Sequence, residues 1–235
     1  MNKRIKYFLV VDVETANDTT DALVYDLGVA VVDKRNKVYE QASFLVRDIF
    51  VEESALMQSA YYSAKIPQYW EGLKEKAFVL RSFYEVRKAV CDLMEKYGII
   101  TVCAYNAHFD RNALNKTERW LTKSKYRYFF PKGTEFYCIW NMACQTICKQ
   151  KSFVRFCLDN GFTSASGNIK TSAEVVYAYL TKNTDYNENH TGLQDVLIES
   201  EIMSVCFRQH KAMDKGINRL CWRIPQAQAK EMARA

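Results

Sequence analysis

The residues Phe8-Leu9-Val10-Val11-Asp12-Val13-Glu14-Thr15 constrain this chain more than any other stretch. Four apolar residues in a row read as a strand buried in a sheet. In a strand, residues i and i+2 point to one face. Asp12 and Glu14 therefore project together from the end of a core strand, and Val13 faces the other way. Two carboxylates held side by side repel, and removing them from water is costly without a compensating cation. A divalent metal is one such compensation. Taken alone, the pair also fits a strand that simply ends with both acids in water.

The chain has 235 residues, which suits one large domain or one domain with additions. A hydrophobic share of 49%, with only 8 Gly and 3 Pro, provides for a substantial core and argues against disorder. Lys and Arg outnumber Asp and Glu by 33 to 27, a net charge of +6. That balance is compatible with a polyanionic partner but does not establish one. Aromatic residues make up 14% and serve core packing, base stacking or both.

Eight cysteines are scattered without a C-x-x-C pair, and there are three histidines, which argues against a zinc–thiolate site. The thiols read as small buried hydrophobes in a reducing compartment, so the expected location is cytoplasmic. The start Met1-Asn2-Lys3-Arg4 is basic, but Asp12 interrupts the apolar run too early for a signal peptide. No segment approaches the ~20 apolar residues of a membrane helix, and no membrane partner is expected.

After the first strand, residues 24–33 and 38–46 read as two more, joined by the turn Lys34-Arg35-Asn36-Lys37, and together suggest an antiparallel meander. Residues 48–79 read as an inserted lobe or lid: a helix over 52–59, a break at Pro67, and Tyr61, Tyr62, Tyr69 and Trp70 clustered around it. Apolar spacing predicts a helix over 81–97 that stops at Gly98. A buried strand over 99–104, a helix over 110–121, a strand over 136–140 and helices over 141–149 and 152–159 follow. Thr171 and Glu174 have the spacing of a capping box opening a helix to Leu180, as do Thr191 and Gln194 for a helix to about Phe207. Residues 208–235 form a basic tail with seven basic and two acidic residues.

Two later stretches carry candidate chemistry. Ala104-Tyr105-Asn106-Ala107-His108-Phe109-Asp110 follows a buried strand and opens a helix, where an acid is favoured at the positive end. His190-Thr191-Gly192-Leu193-Gln194-Asp195 straddles the start of a helix. Within one regular helix, His190 and Asp195 would point about 140° apart. With His190 held in the preceding loop, both can face one site. By themselves, Asp110 also fits a plain helix-start acid and His190 a structural histidine.

Asp-x-Glu on the first strand, Asp after a later strand and His-x4-Asp at a late helix, in this order, resemble the DEDDh family of 3′–5′ exonucleases. The matching segments are Val11 to Thr15, Tyr105 to Asp110 and His190 to Asp195. The tyrosine-type subgroup does not fit, because Thr191 stands four residues before Asp195. Ala16-Asn17-Asp18 lack the threonine-glycine common after the first motif, and Gly192 stands where the family often has alanine. Neither departure removes a catalytic group.

The resemblance implies a ribonuclease H-like α/β fold: a mixed sheet of three antiparallel strands and then parallel strands, flanked by helices, over residues 1–207. It implies two divalent ions, Mg²⁺ or Mn²⁺, held by Asp12, Glu14, Asp110 and Asp195, with Asp12 placed to bridge them. It implies His190 as the general base and release of nucleoside 5′-monophosphates from single-stranded DNA or RNA 3′ ends. A DNA polymerase is a candidate partner. Val13, Thr15, Asn106, His108 and Phe109, beside these acids, are candidate substrate contacts. Residues 111–132 carry seven basic residues against one acid, Glu118. There Lys125 and Arg127 interleave with Tyr126, Tyr128, Phe129 and Phe130, a pattern that suits a strand-binding surface or a solvated basic loop. The competing reading is a catalytically silent nucleic-acid-binding or polymerase accessory protein. The presence of all five catalytic-type residues speaks against it.

Overall fold

The computed structural model describes residues 6–60, 62–186 and 190–232. The basic start at residues 1–4 and Tyr61 of the aromatic cluster lie outside the described residues. β1 (Phe8–Ala16), β2 (Leu23–Val32) and β3 (Val38–Val46) form the antiparallel meander. β4 (Val79–Arg81) runs parallel along the outer edge of β3. β5 (Thr101–Ala104) lies parallel to β1, and β6 (Glu135–Cys138) parallel to β5. The sheet order is β4-β3-β2-β1-β5-β6.

Helices cover both faces, which is why β2, Leu-Val-Tyr-Asp-Leu-Gly-Val-Ala-Val-Val, is buried along its whole length. One face packs Leu9, Val11 and Val13 of β1 against α1 (Arg47–Phe50), α2 (Ser54–Met57), α3 (Ile66–Lys74), α4 (Phe83–Tyr97) and α5 (Ala107–Thr122). The opposite face packs Phe8 and Val10 against five further helices. These are α6 (Ile139–Ala143), which runs into a π-helical stretch at Cys144–Cys148, α7 (Lys151–Asp159), α8 (Ala173–Thr181), α9 (Gly192–Arg208) and α10 (Arg223–Met232). Each large side chain so buried contributes roughly 1.5–3 kcal/mol, so the two faces together supply the main driving force. Seven of the eight cysteines are buried in these layers, and Cys91 is half-buried.

Several local expectations are corrected. Pro67 lies in the first turn of α3, where its missing N–H costs nothing, so it opens a helix rather than breaking one. Residues 79–81 pair with β3 before α4 starts at Phe83, and α4 is capped by a reciprocal Ser82–Glu85 box. Gly98 ends α4 in the left-handed conformation, as its position predicts. α5 begins at Ala107, which puts Asp110 inside its first turn. The strand over 136–140 gives way to helix after Cys138. Ser172, not Thr171, caps α8, accepting from the Val175 N–H at 3.5 Å. Thr171 instead accepts from the Trp140 indole at 2.8 Å. In the basic tail, Cys221 is buried, and the Gln226 side chain of α10 bonds both backbone groups of Ile169, at 2.8 and 3.0 Å.

Candidate active site

The period-2 pattern of β1 decides which face receives its acids. Phe8 and Val10 point toward α9, and Asp12 and Glu14 continue that row. α9 reaches them because it lies directly on the sheet. Asp12 pairs across the ladder with Gly28, and Gly192 at the start of α9 sits on Gly28. A Cβ on Gly28 would come within 2.0 Å of the Gly192 carbonyl carbon. A Cβ on Gly192 would come within 2.5 Å of the Gly28 nitrogen and 3.1 Å of the Asp12 carbonyl oxygen. Only a glycine pair allows this approach, which gives the departure from alanine at position 192 a structural reason.

The expected Thr191–Gln194 capping box does not form. Thr191 has the extended backbone of an N-cap, but its side chain makes no capping bond. Asp26 of β2 takes over: its carboxylate accepts from the Gly192 N–H at 3.0 Å and from the Tyr69 hydroxyl at 2.9 Å. A charged side chain from the sheet thus anchors the positive end of α9. His190 lies outside the helix with φ of 47°, a left-handed conformation that is rare for a non-glycine residue.

These elements converge on a cleft of about 480 Å³ lined by Asp12, Glu14, Asp110, His190 and Asp195. Donor atoms of Glu14, His190 and Asp195 all lie within 4.8 Å of one another. Asp195 is 6% exposed, and its Oδ1 has no hydrogen-bond partner among the described residues. Burial pushes the Asp12 carboxyl well above the usual carboxylate range, and the nearby Glu199 and Asp110 push it further. Burial, then Asp195 and Asp26, raise Glu14 to about 9, with Lys65 acting against them. Burial raises Asp195 and Asp110 to about 7 each; backbone N–H donors hold Asp110 down and Lys65 holds Asp195 down. Burial and then Lys65 lower His190 below its ordinary value. A site that resists so many negative charges calls for a cation.

The chain matches a moderately thermophilic exonuclease I from Methylocaldum szegediense with a TM-score of 0.52 at 16% identity, over 98% of this chain and 46% of that one. It matches the zinc-ion-bound form of the E. coli ExoI–ssDNA complex with a TM-score of 0.50 at 11% identity, over 88% of this chain and 42% of that one. The fold is the ribonuclease H-like mixed sheet that the three motifs imply. The chain spans less than half the length of either protein. No protein-family model and no curated protein sequence matches it. Among the described residues, no helix is long and apolar enough to cross a membrane.

Of the other candidate residues, Val13, Asn106 and Phe109 also line the cleft. Thr15 is half-buried beside a register shift between β1 and β2. His108 lines an adjoining groove, where its Nε2 lies 3.1 Å from the Asn112 amide. Lys125 lies by a more distant hollow, and the Arg127 carbonyl accepts from the Arg119 guanidinium at 3.2 Å.

Residues outside the three motifs also shape the site. Glu199, 3% exposed, lies one turn after Asp195 on α9, lines the cleft and accepts from the Tyr105 N–H at 3.1 Å. Its i, i+4 spacing from Asp195 is a signal the sequence carries. Asp26 is the one charge within the apolar run of β2, also a readable signal. Tyr62 stacks on the His190 ring, and the Lys65 ammonium lies 5.2 Å from the Tyr62 centroid. Nothing local in the sequence announces that contact.

Proposed function

We propose that this protein is a metal-dependent 3′–5′ exonuclease that hydrolyses phosphodiester bonds at the 3′ end of single-stranded DNA or RNA and releases nucleoside 5′-monophosphates. The observation that carries the reading is the meeting of Glu14 from β1, His190 from the loop before α9 and Asp195 from the first turn of α9, within 4.8 Å. The residues fit divalent ions. A buried Asp195 oxygen lacks a partner among the described residues, and carboxylates surrounding it suit hard cations such as Mg²⁺ or Mn²⁺. Asp12, Glu14, Asp110 and Asp195 would hold two of them. When bound, such ions supply an activated water and charge stabilisation at the leaving 3′ oxygen.

The chain's own groups do the rest. Burial and the Lys65 charge keep His190 neutral near pH 7, so its ring can accept the proton of the attacking water. Phe109 offers an apolar ring at the rim of the cleft, suited to stacking on the terminal base. The fold shared with the E. coli ExoI–ssDNA complex supports a single strand as substrate, and its bound zinc ion supports a metal.

Digestion of matched 3′-labelled DNA and RNA oligonucleotides with Mg²⁺, Mn²⁺ or EDTA tests the reading and distinguishes the two substrates. Asp12→Asn is expected to abolish cleavage, and full activity in that variant overturns the metal assignment. His190→Ala is expected to lower turnover sharply while Mn²⁺ binding is largely retained. Wild-type turnover in it removes His190 as the base.

A further inference from the structure

An acidic cleft repels phosphate, so a strand delivered to it needs positive charge elsewhere. A groove of about 840 Å³ opens beside the cleft, and Asn106 and Phe109 line both. Arg111, Lys116 and Arg119 enter it from the exposed face of α5, and Arg219 enters from the segment before α10. Among the described residues lining it, none is acidic. Glu118, the one acid of residues 111–132, is 5% exposed and so does not neutralise that face. Lys116 and Arg119 also line a second hollow of about 600 Å³, joined there by Trp120, Lys123 and Lys125. An ion pair at 2.7 Å ties Lys116 to Asp21 on the hollow's rim. The basic path thus leads away from the cleft along α5, whose 16 residues span roughly 24 Å at 1.5 Å per residue.

Rings line the same path. Tyr128 is 56% exposed, and the Arg119 guanidinium carbon sits 4.8 Å from its centroid. Arg119 spends one donor on the Arg127 carbonyl, which fixes the guanidinium and leaves four other N–H donors. Trp120 is exposed with the Lys123 ammonium 4.6 Å from its ring, and Trp140 also lines the groove. Cations that track phosphates and rings that accept unpaired bases together describe a surface for a single strand; a duplex keeps its base faces hidden.

We propose that the exposed face of α5, with Arg219, is the track for the part of an unpaired polynucleotide lying 5′ of the terminal nucleotide in the acidic cleft. The proposal rests on the exonuclease reading above for the direction of the strand, but its surface can be tested without catalysis. Binding of a fluorescent dT20 strand and of an equal-length duplex is measured by anisotropy in EDTA over a range of NaCl. Each lost phosphate contact takes about 0.7 from the log–log salt slope of a single strand. Lys116→Gln with Arg119→Gln is therefore expected to shallow the slope by about 1.4. Tyr128→Ala is expected to weaken dT20 binding at least fivefold and to leave duplex binding as it was. An unchanged slope in the double variant, or an equal loss for strand and duplex in Tyr128→Ala, overturns the track. If the wild type digests 3′-labelled dT20 and the slope does not move, the track falls and the exonuclease reading stands. If the slope moves but the wild type digests nothing with Mg²⁺ or Mn²⁺, the enzyme reading falls and the binding surface stands.

Discussion

The Tyr62 and His190 rings lie nearly parallel, with centroids 4.2 Å apart and planes 15° apart. His190 is held in a left-handed backbone conformation that costs about 1–3 kcal/mol for such a residue, so its surroundings must hold it there. The Tyr69 hydroxyl also reaches the His190 carbonyl, at 3.5 Å. The segment between β3 and β4 therefore carries the aromatic wall of the site. Tyr62→Ala is expected to lower kcat roughly tenfold, about 1.4 kcal/mol, with little change in KM or Mn²⁺ affinity. Tyr62→Phe keeps the stack and is expected to remain near wild type. Equal kcat in the alanine variant would show that the stack does not position His190.

The buried acids set a pH dependence of stability. Asp110 and Asp195 titrate near 7 and Glu14 near 9 in the folded chain, against about 4 when unfolded. Between those values the native state binds more protons than the unfolded state, so stability falls as pH rises. The melting temperature in EDTA is expected to drop steadily from pH 5.5 to 9, and saturating Mg²⁺ or Mn²⁺ is expected to flatten the profile. A flat profile in EDTA contradicts the crowding of like charges in the cleft.

The Gly28–Gly192 contact sets the height of α9 above the sheet. Gly→Ala at an unhindered helical position stabilises by up to about 1 kcal/mol. At Gly192 the clash at 2.5 Å with the Gly28 backbone opposes this, and overpacking costs roughly 1–3 kcal/mol. The clash wins, because backbone cannot yield as a flexible side chain can. Gly192→Ala is expected to lower the melting temperature by several degrees. A variant as stable as wild type would mean that α9 can shift freely.

Glu199 lines the cleft beside the four motif acids and Glu174, and its carboxylate accepts from the Tyr105 N–H. Glu199→Gln keeps an oxygen for that bond and removes the charge. With less repulsion it is expected to melt higher than wild type in EDTA. With less negative potential it is expected to bind Mn²⁺ roughly 3- to 10-fold more weakly. Calorimetric titration with Mn²⁺ reads the second effect, and unchanged affinity assigns Glu199 to backbone support alone.

What the sequence determined by itself is local. The apolar run of β1 and its period of two put Asp12 and Glu14 on one face. The left-handed stop at Gly98, the meander of β1–β3 and the break before Gly192 that frees His190 from α9 follow likewise from residues close together in the chain. Position 110 near a helix start is of the same kind. The tertiary structure decided the rest. Thr191 was in place to cap α9, yet Asp26 does so, because β2 passes beneath Gly192 and offers a carboxylate that also accepts from Tyr69. By its residue type Pro67 predicts a break, yet it sits in the first turn of α3 and opens it. Tyr62 meets His190, Glu199 meets the back of the cleft, and Arg219 joins Arg111, Lys116 and Arg119 across a long stretch of sequence. Capping and periodicity act over a few residues and leave a trace in the sequence. A contact between distant segments depends on how closely helix and sheet can approach, and here two glycines facing each other across the Asp12 ladder set that distance.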